Sequence, residues 1–374
     1  MGCTIKCDNI CCGKSHAHPD VVKQLNCKFR LLRLSGSPSL LNKHLTPERF
    51  QVLKWKKTNY GMTLLDCAQT AFENPDSSVG LYAACPESYD VFGDLFDEVI
   101  MEYHGDFKKS FIHPPMDWGD ASELQNIDPD GKYVISTRVR TARSLKGYPF
   151  NPGLTEDQYL EIEDKVVDAL TRLEGDLKGQ YVGLINMTPD EIEKMINDHI
   201  LYKEGDRFLN AARAYRFWPE GRGYFYNPDK TFIVWVNEED HMRIISLQEG
   251  GNLAEVYQRL ADAVTDLSYC LEFEKHERFG YLSMCPTNIG TGIRASVHIK
   301  LPNISEDMEK LKEVAKVLNL QIRGTGGEHT ESQGGVLDIS NKRRLGITEI
   351  EVIREMNNGI QQLIAMEKSG GITM

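Results

Sequence analysis

Tyr133-Val134-Ile135-Ser136-Thr137-Arg138-Val139-Arg140-Thr141-Ala142-Arg143 decides the fold. The stretch alternates as a strand with two different faces does, and Arg138 and Arg140, two apart, share one of them. Gly223 to Val236 reads as a hairpin around Asn227-Pro228-Asp229. Phe279 to Cys285, Ala295 to Leu301 and Val336 to Ile339 are further strand candidates. Helical patterns run over about 155–173, 188–200, 250–266 and 305–317. A last helix opens at the capping box Thr348-Glu349-Ile350-Glu351 and continues to about 367. The strands fall in adjacent runs, not in strict alternation with helices. That predicts an α+β fold with a mainly antiparallel sheet flanked by helices.

The N-terminal part reads differently. Residues 45–105 are helical in pattern, with Thr46 as N-cap, Pro47 at the first helical position and Leu64, Leu65, Ala68 and Phe72 at helical spacing. The expected organisation is a flexible extension over 1–40, a small all-α domain over 41–112, a linker over 113–130 and a larger catalytic domain over 131–374. The linker reading rests on His113-Pro114-Pro115 and Asp128-Pro129-Asp130-Gly131.

Met1-Gly2-Cys3 begins like an acylated terminus, but Lys6 stands where the acylation pattern wants Ser or Thr. Cys3, Cys7, Cys11, Cys12, His16 and His18 fit no standard zinc spacing. A flexible tail is the reading preferred, with membrane contact only if Gly2 or Cys3 is acylated.

A formal net charge of −12 disfavours a nucleic-acid partner, because phosphate would be repelled. No apolar run is long enough to cross a bilayer, and the start has no signal-peptide core. Nine cysteines without a C-x-x-C pair point to reduced thiols in the cytoplasm.

Familiar nucleotide motifs fail. Gly13-Lys14-Ser15 lacks the first glycine of a phosphate-binding loop, since position 8 is Asp8. Gly290-Thr291-Gly292-Ile293-Arg294-Ala295 matches a dinucleotide pattern loosely but sits in no βαβ unit. Arginines offer another route to phosphate. Arg138, Arg140, Arg243, Arg294 and Arg323 stand in strands or beside glycine-rich turns, and guanidinium groups bind phosphate oxygens in fixed geometry. Glu238, Glu239 and Glu328 are the acidic counterpart. Carboxylates orient a guanidinium substrate and can take a proton from it. Taken singly, each arginine is more simply a surface ion pair, and Glu238-Glu239-Asp240 a solvated turn.

From about residue 40 to 368 the chain resembles the phosphagen (guanidino) kinases, and among them the arginine kinases. The resemblance lies in Ser136-Thr137-Arg138-Val139-Arg140, Asn237-Glu238-Glu239-Asp240-His241, Cys285-Pro286-Thr287-Asn288-Ile289-Gly290-Thr291 and Arg323-Gly324-Thr325, in that order. It implies a small helical domain, and a larger one with ATP against an antiparallel sheet. It assigns ATP to Ser136, Arg138, Arg140, His199, Arg243, Arg294, Ala295, Ser296, Val297, His298, Arg323, Gly324, Thr325, Gly326, Gly327 and Glu328, with His199 near the adenine. It assigns Mg²⁺ to Glu238, through water or directly. Glu239, Glu328 and Cys285 become the catalytic set, with the Cys285 thiolate favoured by nearby arginines.

The substrate loop Asp76-Ser77-Ser78-Val79-Gly80-Leu81-Tyr82 resembles the short arginine-kinase loop, with Ser77, Ser78, Val79, Gly80 and Tyr82 around the carboxylate. Ser78 stands where many arginine kinases have Gly, and Gly326 where many have Arg. Asp76 and Arg207 match a pair that links the domains on closure. The expected activity is reversible in-line transfer from MgATP to L-arginine, giving phosphoarginine and ADP, by a cytoplasmic monomer. Kinases for taurocyamine or lombricine, and an inactive scaffold, are the rivals.

Overall fold

The computed structural model describes residues 16–105, 107, 110–197, 200–202, 205–323 and 336–371. The first helix, α1 (Pro19–Ser35), starts at His18, whose side chain accepts from the Asp20 amide, and stops at Gly36 with φ 66°. It buries Val22, Leu25 and Leu32. Over 19–35 this corrects the expected flexible extension: a proline at the first helical turn and a glycine stop enclose an apolar stripe that packs. Gly2, Cys3 and the other cysteines through Cys12 lie outside the described residues.

The helical unit continues with α2 (Leu40–His44), α3 (Pro47–Leu53), α4 (Leu64–Glu73), α5 (Ser88–Val91) and α6 (Gly93–His104). Thr46 caps α3 as the sequence predicts, accepting from the Arg49 amide. Phe29 of α1 stacks on Phe50 of α3 with centroids 4.1 Å apart. The core of this unit also takes in Phe279, Leu282, Met284 and Ile289 from the larger unit, so the two share a hydrophobic seam.

The larger unit runs β1 (Val134–Arg143), α7 (Glu156–Leu170), β2 (Gln180–Gly183), α8 (Pro189–Asn197), α9 (Arg207–Ala211), β3 (Gly223–Tyr226), β4 (Phe232–Val236) and β5 (Met242–Glu249). It goes on with α10 (Leu253–Cys270), β6 (Lys275–His276), β7 (Gly280–Tyr281), β8 (Arg294–Lys300), α11 (Met308–Val317), β9 (Leu320–Arg323), β10 (Val336–Asn341) and α12 (Glu349–Lys368). Among the described residues eight strands form one sheet in the order β2-β3-β4-β5-β1-β8-β10-β9. Every neighbouring pair is antiparallel. The α+β expectation holds.

One sheet face is apolar. Val139, Ile244, Ala295, Val297 and Ile339 are buried against α7, α10 and α12, which supply Ile162, Val166, Leu260, Val264, Ile353 and Ile360. Fully burying each such side chain is worth about 1.5–3 kcal/mol. That face anchors the sheet; on the other, Ile233, Trp235 and Ile245 pack under Ile200, Leu201 and Tyr202, and the remainder carries polar side chains. The predicted strand over 279–285 shrinks to β7. Beyond it the backbone bonds elsewhere: the Tyr89 hydroxyl donates to the Ser283 carbonyl at 2.7 Å, and the Ala83 amide to the Met284 carbonyl at 2.7 Å. No described helix is long and apolar enough to cross a membrane.

Candidate active site

The antiparallel register assembles the polar face. Arg294 on β8 lies opposite Arg140 on β1, and Ser296 opposite Arg138. Arg243 on β5 lies opposite Ala142, and Arg323 on β9 opposite Asp338 of β10. The five arginines singled out in the sequence therefore share one face of the sheet.

Their charges crowd. Arg138 is pushed down to about 10, first by burial and then by Arg294 and Arg243. Arg140 is pushed well below the usual arginine range, first by burial and then by Arg243, Arg138 and Arg294. Among the described residues neither has an acceptor within hydrogen-bond reach. Trp235 lies 5.6 Å from the Arg138 guanidinium and 5.5 Å from that of Arg243. Arg294 donates to Asp338 at 2.8 Å. Arg140, Arg243, Arg294 and Arg344 line one cavity, with Asn288 and Gly292. Half-buried like charges repel, and a multiply charged anion is the ligand that relieves them.

The acidic residues sit in the β4–β5 turn, closed by the Asn237 amide on the His241 carbonyl at 2.9 Å. Asn237 takes a left-handed φ of 56°, which asparagine tolerates. Arg222 donates to its carbonyl at 3.0 Å, and Asn151 to that of Glu238 at 2.7 Å. The turn is therefore rigid and not a solvated loop. Arg243 spans both carboxylates, Glu238 at 2.9 Å and Glu239 at 2.6 Å. Burial pushes Glu239 up to about 7, with Arg243 opposing. Burial works against the Arg243 cation, but Glu238, Glu239 and Asp240 outweigh it and raise it. Arg243 thus gains three carboxylates, whereas Glu239 shares Arg243 with Glu238 and gains less from Arg140. That asymmetry leaves Glu239 under-compensated.

Asp240 turns away from this pair. It accepts from the Ser283 hydroxyl at 2.9 and 3.0 Å and from the Met284 amide at 2.8 Å, fixing the segment that leads to Cys285. The Cys285 sulfur lies 3.1 Å from the Thr287 hydroxyl. Burial pushes its thiol up to about 12, and the Glu239 carboxylate adds to this. Burial and the Glu239 and Asp240 carboxylates work against the arginine-favoured thiolate expected from the sequence, although Arg344 also bears on the sulfur.

The loop over residues 76–82 abuts the same place. Burial raises Tyr82 well above the usual tyrosine range, and Cys285 and Glu239 are the next largest causes. The loop is pinned from behind: the Leu40 amide donates to the Ser78 carbonyl and the Leu41 amide to that of Val79, both at 3.0 Å. The Ser77 hydroxyl is buried without a partner among the described residues. Gly80 has φ 70°, and a Cβ there would lie 2.6 Å from that of Ala71. Arg207 meets Asp76 through both guanidinium nitrogens, one at 3.0 Å. Both side chains are exposed.

Ser136, Ser296 and His298 lie on the arginine face. Ala295 and Val297 do not: their side chains enter the core, so only their backbone can meet a ligand. His199, Gly324, Thr325, Gly326, Gly327 and Glu328 fall outside the described residues.

Residues 161–370 match the family model of the ATP:guanido phosphotransferase C-terminal catalytic domain, and residues 35–101 that of its N-terminal domain. This chain belongs to the ATP:guanido phosphotransferase family. An arginine kinase of Schistocerca americana is 57% identical over 93% of this chain and 98% of its own length. One of Plodia interpunctella is 55% identical over the same shares. Among solved structures, the duplicated taurocyamine kinase of Schistosoma mansoni with bound transition state analog components matches with TM-score 0.87 and 40% identity. The match covers 94% of this chain and about half, 49%, of that duplicated one. A lombricine kinase matches with TM-score 0.84 and 39% identity over 90% of this chain and 93% of its own.

Within this phosphotransferase, Arg344, Trp235 and Asp338 join the candidate site without having been singled out in the sequence, and Asn288 and the inward-facing Asp240 gain roles beyond membership of the resemblance blocks. Trp235 would follow from recognising β5, since it lies directly opposite Arg243. Arg344 sits in Lys342-Arg343-Arg344, which reads as a plain basic run.

Proposed function

We propose that this phosphotransferase moves the γ-phosphoryl group of MgATP reversibly to the guanidino nitrogen of L-arginine, giving phosphoarginine and ADP. The observation that carries the reading is Arg243 gripping Glu238 and Glu239 at the border of an arginine field. Anionic phosphate suits one side of that border and a cationic guanidinium the other.

Arg138, Arg140, Arg243, Arg294 and Arg323 hold the phosphates and neutralise charge as it spreads during transfer. Glu239 orients the acceptor. With its carboxyl raised to about 7, it is basic enough to take the proton released as nitrogen attacks phosphorus. Glu328 holds the acceptor together with Glu239. His199 lies by the adenine. Cys285 places a soft, neutral surface against the guanidinium. Ser77, Ser78, Val79, Gly80 and Tyr82 receive the arginine carboxylate. Asp76 and Arg207 keep the two units closed, so water stays out and ATP is not hydrolysed.

Among the described residues no group of three or more Asp, Glu, His or Cys side chains forms a metal cage. A single carboxylate, Glu238, fits a Mg²⁺ held chiefly by nucleotide oxygens and water. When bound, that ion screens the phosphate charge.

The test is ADP formation from MgATP with L-arginine, creatine, taurocyamine, lombricine and glycocyamine in turn. Turnover that depends on L-arginine and disappears in Glu239→Gln supports the reading. Preference for taurocyamine or lombricine would overturn the acceptor, and silence with all five the activity.

A further inference from the structure

We propose that Arg344 and Asn288 form a relay that aims Glu239 at the acceptor: Arg344 fixes which way the Asn288 amide faces, and the amide then fixes the carboxylate. The relay deepens the proposed phosphotransfer and rests on it.

An amide has two unlike ends, and a guanidinium has only donors. Arg344 Nη1 donates to the Asn288 side-chain oxygen. The amide nitrogen is thereby turned toward Glu239, and donates to its Oε1 at 3.2 Å. Reversing the amide would set N–H against N–H at Arg344 and oxygen against oxygen at Glu239. The other Glu239 oxygen, Oε2, is taken by Arg243 at 2.6 Å. Held at both oxygens from two directions, the carboxylate plane has one orientation.

Arg344 is itself firmly held. It is buried, and Nη1 also donates to the Thr287 carbonyl at 2.9 Å. Its own carbonyl accepts from the Thr291 amide at 3.0 Å. Gly290 packs so close that a Cβ there would lie 2.3 Å from that carbonyl oxygen. Among the described residues no carboxylate comes within ion-pair distance of Arg344, although buried arginines are ordinarily paired. Its charge is spent on neutral oxygens of the Thr287-Asn288 segment. Arg344 is accordingly a positioning residue, as is Asn288.

The test compares wild type, Arg344→Met, Asn288→Ala, the double variant, Arg344→Lys and Asn288→Asp, by kcat and by separate KM values for L-arginine and MgATP. The relay predicts that Asn288→Ala lowers kcat by about tenfold or more while KM for MgATP stays within about twofold, and that Arg344→Met lowers kcat as far, any rise in KM for MgATP from the lost cavity charge coming on top. The double variant should be no worse than Asn288→Ala alone, because both act through one bond. Arg344→Lys, still a donor to the amide oxygen, should recover part of the loss. Asn288→Asp keeps a partner for Arg344 but puts oxygen against Glu239, so it should fall at least as far as Asn288→Ala. Losses that multiply in the double variant, or an Arg344→Met effect confined to KM for MgATP, overturn the relay. If Arg344→Met does not fold, wild-type kcat in Asn288→Asp overturns it by itself. Absence of arginine-dependent turnover in the wild type would instead sink the proposed function.

Discussion

The Ala83 amide donates to the Met284 carbonyl at 2.7 Å, tying the end of the substrate loop to the residue before Cys285. Asp240 holds the same Met284 through its amide, and Asp240 follows Glu239 in the chain. Loop, cysteine segment and acidic turn are thus joined, by a backbone bond on one side of Met284 and by the Asp240 carboxylate on the other, so a displacement of one reaches the others.

Gly80→Ala tests the loop end of this connection. The added methyl would meet Ala71 at 2.6 Å and the Ser77 hydroxyl at 2.9 Å, on a backbone with positive φ. A stability loss of about 1–3 kcal/mol is expected. KM for L-arginine should rise on the order of tenfold, and KM for MgATP much less. Equal effects on both substrates would argue against a loop dedicated to the acceptor.

Asp76→Asn and Arg207→Ala remove an exposed ion pair. Thermal midpoints should hardly move, because exposed pairs are screened and cost entropy to hold. KM for L-arginine should rise in each, and high salt should imitate part of the effect in the wild type. An unchanged KM would show that the pair has no part in closure.

The pH profile follows from Glu239. Its ordinary value is raised by burial to about 7, so the carboxylate proposed to receive the guanidinium is lost as pH falls through that range. At saturating MgATP, kcat/KM for L-arginine should therefore drop on the acid side of about 7. The limb in kcat should lie lower, since a bound cation favours the carboxylate. A kcat/KM that stays flat down to about pH 5 would return Glu239 to the ordinary carboxylate range.

Leu25→Ala probes α1. The side chain is fully buried, and its loss should cost about 2–5 kcal/mol in urea or thermal unfolding. A cost below about 0.5 kcal/mol, the level of a surface change, would show that α1 does not belong to the cooperative unit.

What the sequence reveals depends on how local the signal is. Alternation along β1 and the cap at Thr46 are read within a few residues, and they hold; at Thr348 the Glu351 side chain accepts from the Thr348 amide, while the Thr348 hydroxyl has no partner among the described residues. The strand β5 is harder: its first five residues are all buried, so alternation is lost and Arg243 interrupts the apolar run. The helix α1 is overlooked because cysteine-rich and Ser-Gly-Ser-Pro stretches on either side suggest a tail, although His18-Pro19 and Gly36 mark its ends. The arginine field is legible only as separate residues, because the strand register joins them. Arg343 and Arg344 make the point most sharply. They are adjacent and chemically identical, yet Arg343 pairs with Glu355 at the surface and Arg344 is buried under Asn288. Only tertiary contacts tell them apart.

Phosphorus NMR of MgATP with L-arginine and the purified chain tests the central claim most directly. A new phosphorus–nitrogen resonance should grow in step with ADP, reverse when phosphoarginine and ADP are supplied, and be absent in Glu239→Gln. Inorganic phosphate appearing in place of that resonance, or ATP persisting unchanged, would contradict it.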